Sequence, residues 1–363
     1  MKKKIIIITS IIVIIAIILA AVFLLKKEKE EAVPVYVQPC IYLPSEGGYV
    51  QAWESYLPEV QEMTGIADLG IKTYSTPQEF EQIFMFPEKH NIIWAEVPVT
   101  GEYNFSDLAQ KGYLQEIKDL QAEYYIYSLF NLIQEQFNPK TFYALPYSCD
   151  LWVFLQRKKP LEENPMYEIA VPGKDVENVF AMLTEVLSTF TDEEKDISLQ
   201  EALLQLEEFS TNKTYQNNPF TYTNYDVLQL VLEGKSRFTP ISVSQFLSMS
   251  YEEQAKYSLK LLNDKVIANT TVLLFPKLKK AESKTAVIAA QKILANPSLN
   301  FKIVDARDWQ PIRINSSSRN VHISTIREDA RMASYSGIPW LSYSSTEEKE
   351  HIFAEIQKKL LTK

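Results

Sequence analysis

The chain has 363 residues, 46% of them hydrophobic, which is enough material for two domains of ordinary size. The formal net charge is −9, and because residues 1–32 contain six Lys and three Glu, the remaining residues carry −12. A body this acidic binds polyanions poorly, so nucleic acid is excluded as a primary ligand.

Residue counts also argue against several kinds of active site. The nine Gly fit neither the glycine-rich dinucleotide-binding motif nor the P-loop. Three His and two Cys without metal-ligand spacing argue against a zinc site, and we predict no metal and no cofactor. Cys40 and Cys149 either pair outside the cell or remain two buried thiols.

The N-terminal segment predicts where the protein resides. Residues 5–25 form an uncharged apolar run of about 30 Å as a helix, which matches the thickness of a bilayer. No small-residue cleavage site and no lipid-attachment cysteine follows the run, so we predict an uncleaved single-pass anchor, with a cleaved signal peptide as the alternative. Lys2, Lys3 and Lys4 on the short side predict a cell-membrane protein whose C-terminal part is extracytoplasmic.

Beyond the anchor and stalk (residues 1–32), the predicted elements alternate between strands and helices. They are a strand at 33–42, a helix at 45–64, a strand at 66–74, a helix at 77–86 and a short buried strand at 91–94. Pro58 is expected to kink or restart the first helix, and Gly65 to end it. This β-α-β-α-β order is typical of a parallel sheet covered by helices.

A second block begins with an extended, aromatic-rich segment at 142–156. It continues with a capped helix from Ser198, a helix at 225–232, a strand at 237–242, a strand at 269–275, a helix at 282–295 and a terminal helix capped by Ser345. The chain has no internal repeat and no long linker. The pattern therefore predicts two α/β lobes packed together.

Four segments carry a family resemblance when they are taken in order. They are GGYVQAWESYLPEVQEMTGI (47–66), NIIWAEVPVTGEYNFSDLAQKGYLQEIKDL (91–120), YALPYSCDLWVFLQRK (143–158) and VLEGKSRFTPISVSQF (231–246). They resemble the opening helix, the D-I-I-x-W-A stretch, the lobe-crossing segment and the G-x-W segment of the bacterial extracellular solute-binding proteins of the maltose-binding type.

The resemblance implies a two-lobed, periplasmic-binding-protein-like (type II) α/β fold behind the N-terminal transmembrane helix. Within an ectodomain at 33–363, lobe 1 would comprise about 33–142 and 268–312, and lobe 2 about 143–267 and 313–363. The implied function is capture of a carbohydrate or a similar small polar solute in the interlobe cleft, for the permease subunits of an ABC importer. We do not predict an enzyme.

Two predicted ligand-binding residues follow the third strand. By the family motif, Trp94 takes the position of a ligand-contacting Trp, and the alternative is a buried core Trp. Glu96 lies two residues further on, in what we expect to be the same loop, and a solvated carboxylate is its alternative.

The other four predicted ligand-binding residues belong to the second block. The resemblance places Asp150 at an acidic cleft position in the lobe-crossing segment, where an unpaired charge would be costly unless it serves a purpose. Structural hydrogen bonding is the alternative role. Tyr147 and Trp152 flank Asp150, and Phe246 corresponds to the aromatic residue of the G-x-W segment.

A second function remains open, namely a binding-protein-like module that senses or scaffolds at the membrane surface without transport. The anchor, the low glycine content and the altered motif positions favour it, because Ser244 and Phe246 replace the Gly and Trp of the G-x-W segment. A paired-carboxylate hydrolase built on Glu96 and Asp150 is a weaker alternative, since the sequence does not fix the distance between the two groups.

Overall fold

The computed structural model describes residues 38–99, 102–103, 105–118, 120, 122–135, 141–159, 164–174, 219–261, 265–314, 321–335 and 346–361. Except for Gln38, these residues belong to one compact unit, Pro39–Lys363. The predicted anchor and stalk, residues 33–37 of the first predicted strand and the helix predicted from Ser198 lie outside the described residues. No helix in the described part is both long and apolar enough to cross a bilayer.

Mixed α/β structure fills the described part of the chain. The strands are β1 (Cys40–Pro44), β2 (Gly70–Tyr74), β3 (Ile92–Pro98), β4 (Ala144–Arg157), β5 (Tyr167–Ile169), β6 (Ser236–Ser242), β7 (Tyr257–Leu261), β8 (Lys265–Leu274), β9 (Gln310–Pro311) and β10 (Ser334–Tyr335). The helices are α1 (Tyr49–Thr64), α2 (Pro77–Met85), α3 (Pro87–His90), α4 (Phe105–Gln110), α5 (Tyr127–Glu135), α6 (Asn224–Leu232), α7 (Val243–Leu247), α8 (Tyr251–Gln254), α9 (Lys280–Ala295), α10 (Pro297–Asp305), α11 (Val321–Met332) and α12 (Thr346–Leu361).

The first three strands confirm the predicted parallel arrangement. β1 lies between β2 and β3 and pairs with both in parallel. The helix that connects β1 to β2 is continuous through Pro58, contrary to a restart there. Proline has no N–H to donate to the carbonyl group four residues earlier. Because Pro58 is exposed, water can donate to that carbonyl group instead. Gly65 ends the helix as predicted, with φ of 76° and its N–H donating to the carbonyl of Gln61.

Two long antiparallel strands extend the sheet beyond its parallel part. β8 pairs antiparallel with β3 on one side and with β4 on the other, and the path through the sheet is β2-β1-β3-β8-β4-β6-β5. The first half of β4 also pairs with β9, and its second half pairs with β6 and β7. β4 and β8 therefore connect the N-terminal parallel strands to the strands of the second block.

The core has two parts, on opposite faces of the sheet. Side chains alternate along a strand, so Ile41 and Leu43 of β1 face one part while Cys40 and Tyr42 face the other. Helices α1, α9 and α10 cover the first part. Both cysteines are buried and no disulfide joins them, which corresponds to the second of the two alternatives, two buried thiols.

Candidate functional site

A buried hydrogen-bond network lies where β3, β4, β8 and β9 meet. Glu96 is opposite Leu273 in the β3–β8 ladder, and Ser148 of β4 is opposite both Thr271 of β8 and Pro311 of β9. We call Trp53, Glu96, Ser148, Thr271 and Arg307 the junction network.

Glu96 is the acceptor at the centre of the junction network. Its side chain is fully buried. Oε2 accepts a hydrogen bond from Trp53 Nε1 at 2.7 Å, and Oε1 accepts from Thr271 Oγ1 at 2.8 Å and from Arg307 Nη2 at 2.5 Å. A buried carboxylate needs this kind of compensation, because an unpaired charge in the core is strongly unfavourable.

The hydroxyl groups of the network complete a closed cycle of hydrogen bonds. Arg307 Nη2 donates to Ser148 Oγ as well as to Glu96. Ser148 Oγ lies 2.6 Å from Thr271 Oγ1. A hydroxyl has one proton, and that of Thr271 is directed to Glu96, so Ser148 is the donor to Thr271. The cycle runs from Arg307 through Ser148 and Thr271 to Glu96, and the ion pair closes it.

Two aromatic rings hold the Arg307 guanidinium in place. Its central carbon lies 4.2 Å from the centre of the Tyr49 ring and 4.7 Å from that of Trp309, and the side chain is 4% exposed. Burial is the largest single influence on the pKa of Arg307 and lowers it, but Glu96 together with Tyr49 and Tyr147 raises it by more, so the net shift is upward. The guanidinium is therefore a permanent cation inside the protein.

Trp94 and Tyr147 pack around the same network through Trp53. The Trp53 ring centre lies 6.3 Å from that of Trp94 and 5.6 Å from that of Tyr147, on which it stacks. Trp94 Nε1 and the Tyr147 hydroxyl are buried without a hydrogen-bond partner among the described residues. Burial, followed by the nearby Glu96 charge, raises the pKa of Tyr147 well above its usual value.

Asp150 belongs to a second polar group, at the start of α7. Its Oδ1 accepts from the Ser244 backbone N–H at 2.9 Å and its Oδ2 from the Ser244 hydroxyl at 2.6 Å. Burial raises the pKa of Asp150 to about 6, although the bonds from Ser244 oppose the shift. Phe246 is fully buried in the same short helix, and Trp152 is opposite Ser242 in the β4–β6 ladder.

The structure thus divides the six predicted ligand-binding residues into two groups. Glu96 belongs to the junction network and Trp94 and Tyr147 pack around it. Asp150 and Trp152 lie in β4 and Phe246 in α7. Each of the six is 5% exposed or less, so in this conformation they serve packing and internal hydrogen bonding. Solute contact by any of them stays a prediction, and it requires the surrounding elements to separate.

One expectation about this region is wrong, namely that Glu96 lies in a loop. β3 continues through Glu96 to Pro98, because residues 95–98 pair with β8. The polar residue suggested the end of the strand, and its buried partners come from distant parts of the chain.

The sequence did not single out Arg307. It lies in a turn two residues after α10 and matches no motif that we considered. Tyr49 and Trp53 lie within the helix predicted at 45–64, where their apolar spacing contributed to the helical pattern, and neither was predicted as a site residue. The spacing of these aromatic residues gave the helix, but the chain offered no local signal for the cation that they surround.

Elsewhere, the molecule has a groove of about 730 Å³ between β2 and α2. Lys72, Gln78, Gln82 and His90 are among its lining residues, and none of the six predicted ligand-binding residues lines it. The described residues contain no group of three or more His, Cys, Asp and Glu that could hold a metal ion.

Comparison with known proteins gives structural matches only. No protein-family model and no curated protein sequence matches the chain. The bacterial solute receptor AcbH, described as exclusively preferring β-D-galactopyranose, superimposes with a TM-score of 0.63 at 12% identity over 88% of this chain and 97% of its own. The Staphylococcus aureus extracellular solute-binding protein, solved with maltose, gives 0.59 at 11% identity over 90% and 98%.

An enzyme also has a similar structure. Clostridium botulinum thiaminase I, solved with thiamin, gives a TM-score of 0.56 at 14% identity over 89% of this chain and 99% of its own. At such identities the likeness concerns the fold, and this fold supports binding as well as catalysis. The chain has the α/β fold of the bacterial extracellular solute-binding proteins of the maltose-binding type, which it also resembles in its sequence segments.

Proposed function

We propose that the chain is a membrane-anchored, extracytoplasmic solute-binding protein. It holds a carbohydrate or a similar small polar solute between two lobes and presents it to the permease subunits of an ABC importer. The anchor is residues 5–25, and the protein performs no chemistry on its ligand. In support of the proposal, the likeness to solute receptors extends over about nine tenths of the chain. Two of those proteins are a receptor that prefers β-D-galactopyranose and a binding protein solved with maltose.

The observation that carries the proposal is the arrangement of β4, β8 and β9. The proposed lobe boundaries at about 142, 267 and 312 each fall within six residues of a place where these three strands are adjacent, since Ser148 pairs with both Thr271 and Pro311. Under the proposal, three adjacent crossings at this place would act as the hinge about which the two lobes rotate. A solute that contacts both lobes only when they are closed would shift the equilibrium by the free energy of those contacts.

The proposed ligand residues suit a carbohydrate in their chemistry. Aromatic faces such as that of Trp94 can cover the apolar faces of a sugar ring. Carboxylates such as Glu96 and Asp150 accept strong hydrogen bonds from sugar hydroxyls. All of these groups are buried in this structure, so rotation at the hinge would have to expose them before a solute could bind.

A second candidate function is a sensing or scaffolding module that retains the fold without transporting a solute. One observation favours it, because Glu96 is already paired with Arg307 and the six predicted ligand residues fill the core. Under this candidate function, the former ligand positions would be structural.

Thermal unfolding of the full chain separates the two candidates. The protein would be held in a detergent without a sugar head group and heated with galactose, maltose, tagatose or thiamin. A ligand that binds the native state at about 100 times its dissociation constant stabilises it by about 2.7 kcal/mol, a readily measured rise in Tm. Recovery of unchanged thiamin after incubation would test the absence of catalysis.

A matched pair of variants would locate the site. Asp150→Asn preserves the size of the side chain and should weaken any sugar-induced rise in Tm, whereas Gln82→Ala in the distant groove should leave it unchanged. A rise that is equal in both variants would place the ligand elsewhere. If no compound shifts Tm, solute capture from this set is contradicted and the module without transport is favoured.

A further inference from the structure

The Arg307 guanidinium is surrounded as a small cationic ligand would be in a binding site. Tyr49 and Trp309 present their rings to it, Glu96 supplies a carboxylate and Ser148 a hydroxyl. Rings within about 6 Å and a buried carboxylate are the usual means of holding a desolvated cation. An arginine that merely covered the surface would not need all four groups.

Three of the four surrounding groups come from strands and a helix that do not contain Arg307. Glu96 and Ser148 lie inside β3 and β4, and Tyr49 is the first residue of α1. Glu96 has further hydrogen bonds from Trp53 and Thr271, so its carboxylate remains oriented if Arg307 is removed. Trp309 alone lies on the same turn as Arg307.

Charge determines what these walls would accept. Without Arg307, the cavity would contain the negative charge of Glu96 and the faces of two aromatic rings. A planar cation satisfies both features. A neutral molecule of the same shape leaves the carboxylate uncompensated. A compact ammonium ion has no planar face to lie against the two rings, although it could donate to Glu96 and Ser148 as Arg307 Nη2 does.

We propose that Tyr49, Trp309, Glu96 and Ser148 form a guanidinium-binding site, which the chain's own Arg307 fills as an internal ligand. The site takes a guanidinium-bearing small molecule when the Arg307 side chain is absent or displaced. This inference does not rest on the proposed capture of a sugar, and it concerns a cation rather than a polyol.

Removal of the internal ligand and its replacement in solution test the proposal. Full-length Arg307→Ala would be heated with methylguanidinium, with urea as the neutral planar control and with methylammonium as the non-planar cationic control. We expect Arg307→Ala to melt below the wild type and methylguanidinium to restore several degrees of Tm. The two controls should restore much less. Tryptophan emission should change in parallel, because Trp53 and Trp309 lie at the site.

Matched variants exclude a general salt effect. Arg313 also lies over a ring, 5.3 Å from the centre of Tyr124, but has no ion pair among the described residues. Arg313→Ala should therefore gain nothing from methylguanidinium. Adding Glu96→Gln to Arg307→Ala should abolish the rescue.

The outcomes are decisive even if Arg307→Ala does not fold unaided. In that case its refolding yield would be compared in methylguanidinium, urea and methylammonium, and a selective gain with methylguanidinium supports the proposal. Equal recovery in methylammonium, rescue of Arg313→Ala, or no selective recovery in either experiment would overturn it.

Discussion

Replacing Glu96 by Gln should reveal how much the junction network contributes to stability. Glu96 Oε1 accepts from Arg307 and Thr271, while Oε2 accepts from Trp53. Glutamine has one acceptor oxygen, so if that oxygen keeps the bonds of Oε1, its amide group faces the Trp53 N–H, donor against donor. An unsatisfied buried donor costs about 1–3 kcal/mol. Because Arg307 also loses its counter-charge, the expected total is about 3–5 kcal/mol.

The measurement is urea unfolding of the full chain, followed by circular dichroism. Urea is preferred to guanidinium chloride, since guanidinium screens ion pairs and is itself the proposed ligand of the site. Glu59→Gln is the matched control, because Glu59 pairs with Lys302 at 3.0 Å with side chains 50% and 39% exposed. An exposed pair of this kind contributes about 0–1 kcal/mol.

A double variant separates the ion pair from its surroundings. Glu96→Gln combined with Arg307→Met removes both charges, so the combined loss should be smaller than the sum of the two single losses by about 0.5–3 kcal/mol. A loss for Glu96→Gln no larger than that for Glu59→Gln would contradict a stabilising junction network. Simple addition of the two single losses would show that the charges do not interact as the geometry requires.

Three further changes have defined outcomes. Burial raises the pKa of Asp150 from 3.8 to about 6, so its contribution to the unfolding free energy is most favourable below pH 4 and declines as the pH rises through 6. Measured by urea titration relative to Asp150→Asn, the unfolding free energy should fall by about 3 kcal/mol between pH 4 and pH 7. Gly65 has φ of 76° and open space around it, so Gly65→Ala should cost about 1–2 kcal/mol from the backbone alone, measured as a lower urea midpoint. Cys40 and Cys149 are buried, and burial raises the pKa of Cys149 to about 12. A maleimide should therefore label neither thiol in the native protein, and it should label both after unfolding in urea without reductant. Labelling of Cys149 in the native protein would contradict its burial.

The elements that sequence periodicity predicted well are those whose pattern is local. The helices at 77–86 and 282–295 and the strand at 237–242 occur within two residues of their predicted bounds. Their apolar spacing and their capping residues lie within the element, so neighbouring residues contain the information. The antiparallel partnership of β3 with β8 was not predicted, because it joins segments more than 170 residues apart.

The candidate site was harder to predict because its contacts, like the pairing of β3 with β8, join residues that are far apart in the sequence. A carboxylate inside an apolar strand is costly, and that cost marked Asp150 as unusual. The sequence could not show that Asp150 binds Ser244, the residue that replaces the motif glycine, across 94 positions. Glu96 was assigned to the loop after the strand predicted at 91–94, and no local pattern could reveal its cation, which lies 211 positions away.

The pairing of Glu96 with Arg307 constrains any solute that would use Glu96. A sugar hydroxyl that takes over an oxygen of Glu96 competes with Arg307, and a guanidinium left without that carboxylate would remain buried between Tyr49 and Trp309 at a large free-energy cost. The solute must therefore compensate Arg307 with an acceptor of its own, or Arg307 must move out to water. In the first case, replacing Glu96 and replacing Arg307 should both abolish binding. In the second case, Arg307→Ala should strengthen sugar binding, because the competing internal ligand has been removed.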